Sequence, residues 1–186
     1  TYNLNTKRAI VEQGGFVEWV WGNLWSGVTM LYPCSILKGD DSTAHHLSLA
    51  FAAAWQDTDT GAKVIHIGKR TRSEIISKSL AKSGVSTTRI LSHILSSAEG
   101  AISHIECDGL LLDDQAVSDT IPDLRVDHPG ATLSHEATAG AIDEESLWYL
   151  ESRGMSWDSA RSLVVRGFLS PVIRALPLEY ASELNV

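Results

Sequence analysis

Residues 63–69 read KVIHIGK, a β-branched run that ends in glycine and lysine. Such a run is typical of a β-strand, and its end is typical of a turn. Strand-like segments also occur at residues 17–21 and 131–135, and clusters such as GDDS at residues 39–42 separate them. The short strands recur at intervals that suit stacked coils, and few windows before residue 138 favour a long helix. From the residues alone, this pattern allows either a β-sandwich or a β-helix.

The last part of the chain has helix signals. Asp143 is a helix N-cap candidate with two glutamates in the following turn, and Gly154 is a predicted stop for this helix. Ser156 can cap a second helix, and Pro171 is predicted to open a third. Pro177 should interrupt the chain again. The sequence therefore predicts a body of strands followed by three short helices.

Composition and charge exclude several classes of protein. The chain has 186 residues and a formal net charge of −8, with no run of Lys or Arg. No basic surface for nucleic acid or for a membrane is therefore expected. No stretch approaches the roughly 20 apolar residues of a membrane helix. Two cysteines do not make a disulfide framework, so a reducing cytoplasm is the expected location.

Cys107 is the strongest candidate for chemistry. A thiolate is a soft ligand suited to iron–sulfur clusters, for which four protein ligands are usual. The only other cysteine is Cys34, so this chain alone is not expected to hold a stable cluster. A transient site shared with another chain fits better. The alternative is that Cys107 is a small buried apolar residue, which is the commoner role of a free cysteine.

Glu136 and its neighbour His135 are the second candidates. The spacing between Cys107 and Glu136 is one that returns a coiled chain to a neighbouring turn. A carboxylate can bind iron or accept the proton that a thiol loses on metal binding. Because strand residues alternate, only one of this pair should face a given site. The same alternation rules out a Ser134–His135–Glu136 catalytic triad, and the sequence has no phosphate-binding loop for ATP hydrolysis.

Several segments occur together in a fixed order. They read YNLNTKR at residues 2–8, CDGLL at 107–111, HEAT at 135–138, LWYL at 147–150 and VVRGF at 164–168. In this order and spacing the chain resembles the C-terminal half of the SufB/SufD family, the scaffold proteins of iron–sulfur cluster assembly. Since the chain begins at Thr1 without Met and inside a family motif, we expect it to be a fragment that lacks a large N-terminal part.

The resemblance favours a SufB-type chain. Members of that type carry Cys-Asp before the Leu-Leu run and His-Glu-Ala further on, as Cys107 and Glu136 do here. SufD-type members usually lack that cysteine and have glycine in place of the glutamate. One segment departs from the SufB pattern, since residues 139–141 read AGA where a Ser-Lys pair is more common. A SufD-type structural subunit that supplies no thiol ligand is therefore the alternative.

The resemblance also carries expectations of fold and function. It implies a right-handed parallel β-helix, here over residues 1–140, and a small C-terminal helical domain over residues 141–186. It implies a scaffold that is not an enzyme and that assembles and transfers nascent iron–sulfur clusters. Cys107 and Glu136 are the implied cluster-binding pair, with His135 a weaker third metal ligand. The iron–sulfur cluster is expected to be transient and shared with a partner or with the missing N-terminal part. The implied partners are a SufC-like ATPase at the helices and a SufD-like paralogue, or a second copy, along the β-helix.

Overall fold

The computed structural model of the chain describes residues 1–24 and 26–176. Its body is a parallel β-solenoid of about five turns, followed by two helices. The middle turns each contribute one long strand to each of two sheets. The strands are β1 (Tyr2–Asn5), β2 (Arg8–Val11), β3 (Phe16–Asn23), β4 (Val28–Leu31), β5 (Cys34–Leu37), β6 (Thr43–Ala52), β7 (Asp57–His66), β8 (Arg72–Ala81), β9 (Val85–Ile94), β10 (Ile102–Leu111), β11 (Val117–Val126) and β12 (Thr132–Ala141).

The first sheet contains β1, β2, β4, β5, β7, β9 and β11, and the second has the order β3-β6-β8-β10-β12. The described strand pairs are parallel. Cys107 lies opposite Ser77 on one side and Ala137 on the other, so its neighbours in the sheet belong to the preceding and following turns. This pairing arises when a chain coils and stacks each turn on the one before it. The predicted parallel β-helix is thus confirmed, and the β-sandwich is excluded.

Apolar side chains fill part of the space between the two sheets. Ile75 of β8 and Ile105 of β10 are almost completely buried there and pack in one cluster with Cys107. Inward and outward residues alternate along the strands, as the pleat of a β-strand requires. Burial of one face on each strand holds consecutive turns together.

Two buried histidines share this interior with hydroxyl groups. His66 Nδ1 lies 2.8 Å from Thr71 Oγ1, and its Nε2 lies 2.9 Å from Ser73 Oγ. His46 Nε2 lies 2.9 Å from Ser35 Oγ. These hydroxyls partner three of the four ring nitrogens in place of water, as buried polar groups require. The fourth, His46 Nδ1, is buried without a hydrogen-bond partner among the described residues.

The helices are α1 (Glu144–Ser152) and α2 (Trp157–Ala175). Their predicted caps are confirmed, since Asp143 Oδ2 accepts from Ser146 N at 2.9 Å and Ser156 Oγ accepts from Ser159 N at 3.3 Å. Gly154 follows α1 with φ of +90°, a conformation that suits glycine.

The prediction that Pro171 opens a third helix is wrong. Pro171 lies inside α2, which continues to Ala175. A proline removes one backbone hydrogen bond from a helix interior. Leu169 and Val172, on either side of it, pack on the second sheet with Leu49 and Leu80, and this burial keeps the helix continuous. The predicted break at Pro177 lies outside the described residues.

The helical tail therefore rests on the outer face of the second sheet and is not detached from the β body. Among the described residues, no helix is both long and apolar enough to span a membrane.

Candidate functional site

Cys107 lies in the middle of β10 with its side chain in the core between the sheets, only 1% exposed. Burial, together with the nearby carboxylates of Asp108 and Glu106, raises the pKa of this thiol to about 12. Such a thiol is protonated at neutral pH, whereas a metal ligand must be a thiolate. In this closed arrangement Cys107 is therefore unreactive.

Glu106 and Asp108 flank Cys107 in the sequence and point to the outer face of the second sheet. Lys78 of β8 lies between them. Its Nζ is 2.6 Å from Glu106 Oε1 and also donates to Asp108 Oδ2. Burial lowers the pKa of Lys78, but the hydrogen bonds and charges of the two carboxylates outweigh burial and raise it. Lys78 is thus a charged side chain, 8% exposed, held between two anions.

This ion cluster connects β10 to two further elements. Thr138 Oγ1 of β12 donates to Asp108 Oδ1. The ring of Phe168 in α2 covers Lys78, with Nζ 5.5 Å from the ring centroid. Burial raises the pKa of Asp108, but the hydrogen bonds from Lys78 and Thr138 outweigh it and hold that pKa below its ordinary value. The outer side of the Cys107 segment is therefore tied to β8, β12 and α2 together.

The other two predicted ligands lie on β12. His135 is opposite Ile105 and Glu136 is opposite Glu106. His135 shares the inner face with Cys107, and its Nε2 atom is buried without a hydrogen-bond partner among the described residues. Glu136 is exposed on the outer face. The sequence-based prediction that only one of this pair faces a given site is confirmed.

Cys107 and His135 thus share one face of the sheet, and Glu136 lies on the other. Within residues 1–24 and 26–176, no three His, Cys, Asp or Glu side chains converge to hold a metal ion. This part of the chain therefore does not assemble the usual four ligands. Two side chains on opposite faces reach one ion only if the sheet edge rearranges. The assignment of Cys107, Glu136 and His135 as ligands stays a prediction.

Cys34 is the second free thiol and lies in β5, 7% exposed. Burial raises the pKa of Cys34, and the positive charges of Lys63 and Arg8 partly oppose that shift. The two thiols therefore differ in their electrostatic surroundings. The charged groups that shift the pKa of Cys34 are cations, whereas those that shift the pKa of Cys107 are carboxylates.

Sequence reasoning did not find Lys78, Glu106 or Asp108 as members of the site. Lys78 is remote from Cys107 along the chain, and only the register between β8 and β10 places it beside Asp108. Two acidic residues around a cysteine were a visible signal that a cation should lie nearby. Knowledge of the length of one solenoid turn would have pointed to Lys78 as that cation.

Comparisons with known proteins agree with this architecture. Residues 1–168 match the family model described as SUF system FeS cluster assembly, SufBD core domain. The chain is 45% identical to the iron–sulfur cluster assembly protein SufB of Bacillus subtilis over 185 residues, which cover 99% of this chain and 40% of that protein.

Two further relatives carry the name iron–sulfur cluster assembly SufBD family protein. The one from Staphylococcus saprophyticus is 46% identical over 99% of this chain and 40% of its own length. The one from Mycobacterium leprae is 45% identical over 99% of this chain and 21% of its own length. This chain thus spans two fifths or less of these relatives. The chain belongs to the SufBD core family of the SUF system for iron–sulfur cluster assembly.

Proposed function

We propose that the chain is the core and tail of a SufB-type scaffold, not an enzyme, on which nascent iron–sulfur clusters are assembled and then transferred. The observation that carries this proposal is the position of Cys107. It lies on β10, next to β12, which is the last strand of the second sheet among the described residues and leaves one side unpaired there. A thiol so close to an open edge can share a cluster with a chain docked there. The 45% identity to a protein named SufB supports the SufB type.

The cluster is cargo in this proposal and is held transiently. Cys107 supplies one thiolate, and the remaining ligands come from Glu136, from His135 or from outside the described residues. The raised pKa of Cys107 has a consequence for assembly, because the thiol must lose its proton before it binds iron. Glu136 and His135 are the nearby groups that can accept a proton if the edge opens. A scaffold that binds weakly when closed can release what it builds.

Replacing Cys107 by Ser should lower the iron–sulfur absorbance of the reconstituted protein by at least about tenfold. Loss of an outer-shell partner alone lowers metal affinity or activity by about tenfold or more, and loss of a direct ligand should lower it no less. Cys34→Ser is the matched control, because it removes the other buried thiol and should retain the absorbance. The measurement is anaerobic reconstitution of the whole protein with its partners, followed by absorption spectroscopy. Loss of absorbance in Cys34→Ser alone would reverse the assignment. Full absorbance in Cys107→Ser would instead favour the SufD-type alternative.

The proposed partner at the β-helix is a SufD-like paralogue, or a second copy when the paralogue is absent. β12 pairs with β10 and leaves its other side without a strand among the described residues. Such an edge presents unpaired backbone groups that a partner strand can satisfy. Light scattering at several concentrations tests this docking, with Ala139→Pro as an edge-blocking variant. Thr132 N donates to Ala101 O of the preceding turn at 2.9 Å, so alternation along the parallel strand turns the N–H of Ala139 to the unpaired side. An unchanged mass for that variant in a chain that otherwise associates would contradict it.

The proposed partner at the tail is a SufC-like ATPase. Three aromatic residues there are exposed although they are large and apolar, namely Trp148, Tyr149 and Trp157. Exposed apolar clusters mark interaction sites, and Trp and Tyr often dominate binding energy. The buried side of α2 is meanwhile occupied by the second sheet, so docking uses the outward side.

A chain that works beside such an ATPase with two free thiols belongs in the cytoplasm.

The double substitution Trp148→Ala and Tyr149→Ala should weaken binding of the ATPase by roughly 30-fold or more, the effect of losing an interface hot spot. Isothermal titration calorimetry measures this, with circular dichroism to show that the fold persists. Trp55→Ala is the control, since Trp55 is 96% exposed but lies on a turn between β6 and β7. Equal loss of affinity in Trp55→Ala, or none in the double variant, would place the ATPase elsewhere.

A further inference from the structure

Lys78 is a buried cation on the outer face of the second sheet. Its side chain is 8% exposed, and burial of a charge is costly unless the charge is paired. Both of its partners, Glu106 and Asp108, lie on β10, one on each side of Cys107. Lys78 therefore ties β8 to the segment of β10 that carries the thiol.

The burial of Lys78 depends on α2. Phe168 lies over the ammonium group at 5.5 Å, and Leu169 and Val172 of the same helix pack on Leu49 and Leu80. Ion pairs and cation–π contacts are strong where water is excluded and weak where it is not. The ion pairs of Lys78 with the two carboxylates are therefore strong only while α2 is packed on the second sheet.

We propose that Lys78 is a positioning residue for Cys107 and that α2 controls it through Phe168. While α2 is seated, Lys78 holds residues 106–108 in the closed arrangement that keeps the thiol in the core. When α2 lifts, Lys78 becomes hydrated, its hold on the carboxylates weakens, and Cys107 becomes accessible. The inference rests on the proposed function for its purpose, since it gives the tail a route to the thiol.

Thr138 connects the same segment of β10 to its other neighbouring strand. It donates to Asp108 from β12, so β10 is linked by side chains to both of its neighbours. When Lys78 no longer binds Asp108, the carboxylate of Asp108 is held less firmly, and its hydrogen bond with Thr138 is weakened as well. Because β12 is the edge strand, the side of β10 nearer the proposed partner is loosened by the same event.

A surface ion pair in the same solenoid provides the comparison. Lys69 and Glu99 also connect adjacent turns, with Nζ and Oε2 3.0 Å apart, but the two side chains are 52% and 62% exposed. Pairs of that kind contribute little. If Lys78 acted only as one more cross-turn ion pair, removal of either lysine would have similar, small effects on Cys107.

The test is the rate at which iodoacetamide alkylates Cys107 in the whole chain carrying Cys34→Ser, followed by mass spectrometry. Lys78→Met keeps the length of the side chain and removes its charge, and it should raise the rate at least about tenfold, because breaking a buried pair leaves uncompensated charge. Lys78→Arg keeps the charge and should stay within about threefold of the parent. Lys69→Met should leave the rate unchanged.

Phe168→Leu tests control by α2. It should raise the rate as Lys78→Met does, and the double variant should react no faster than the faster single variant, because both act through one contact. Multiplying effects would overturn the inference. An unchanged alkylation rate in Lys78→Met would overturn it too. So would an increase in that rate no larger than the increase in the unfolding equilibrium constant measured in urea, because global unfolding would then explain the exposure of Cys107. Alkylation needs no iron, so failure of the cluster proposal and failure of this inference are separate results.

Discussion

Acid should destabilise this protein strongly between pH 6.5 and pH 4 through its two buried histidines. Burial lowers the pKa of both His46 and His66 to about 4, with the charge of His45 adding to the shift of His46. In the unfolded chain each takes up a proton near pH 6.5. Stability is therefore complete above that pH and falls as the unfolded state gains protons, by about 2 kcal/mol per histidine at pH 5.

Urea unfolding measured from pH 8 to pH 5 tests this expectation against a His46→Gln, His66→Gln variant. The variant should be less stable at pH 8, since it loses hydrogen bonds to Ser35, Thr71 and Ser73. Its further loss between pH 8 and pH 5 should be smaller than that of the parent by about 4 kcal/mol. Equal pH dependence in the buried double variant would contradict the account.

Substituting Gly61 by Ala should be the most damaging single methyl addition in the solenoid. Gly61 of β7 lies opposite Arg89 of β9, and a Cβ atom at Gly61 would lie 1.7 Å from the backbone oxygen of Arg89. Neither strand can yield locally, because both are paired on each side. We expect a loss of at least about 3 kcal/mol in the free energy of unfolding, at the upper end of overpacking effects.

Gly140→Ala is the matched control, since Gly140 is also a strand glycine and has no heavy atom within 4 Å of its Cβ position. There the substitution should be neutral or slightly stabilising, because alanine restricts the unfolded chain. Chemical denaturation of both variants decides the matter. Similar unfolding midpoints for the two would show that β7 and β9 can separate at no cost.

Alternating strand segments and turn residues predicted the β body, but they did not choose between a sandwich and a solenoid. That choice depends on which strands pair, and pairing is a long-range property that short windows do not contain. The resemblance to a family supplied the choice. The caps at Asp143 and Ser156 were local features and were predicted correctly. Pro171 was misjudged because packing of α2 on the second sheet outweighs the lost hydrogen bond.

The candidate site shows the same division between local and long-range information. Alternation along β12 correctly separated His135 from Glu136, since it needs only neighbouring residues. Lys78 was not predicted, because its approach to Asp108 follows from the register between two turns. The burial of Cys107 was foreseen only as an alternative to the ligand role. The structure shows the buried state, and the proposed function requires that this state can open.

Cys107 must be protected while no iron is bound and must be available when iron binds. Burial and two carboxylates keep the thiol protonated, which protects it from oxidation and from stray metals. The same features stop it from binding iron until the surroundings change. A helix that covers the lysine holding those carboxylates is well placed to make that change.

The central claim is that Cys107 binds iron of the nascent cluster, and electron–nuclear double resonance tests it most directly. The whole protein carrying Cys34→Ser is labelled with cysteine deuterated at its β-carbon, and its partners are left unlabelled. After cluster assembly and reduction, the account predicts deuterium couplings typical of a cysteine bound to iron, and loss of a coupling when Cys107 is replaced by Ala. A cluster with no deuterium coupling, or one whose couplings are all unchanged after Cys107→Ala, would contradict the account.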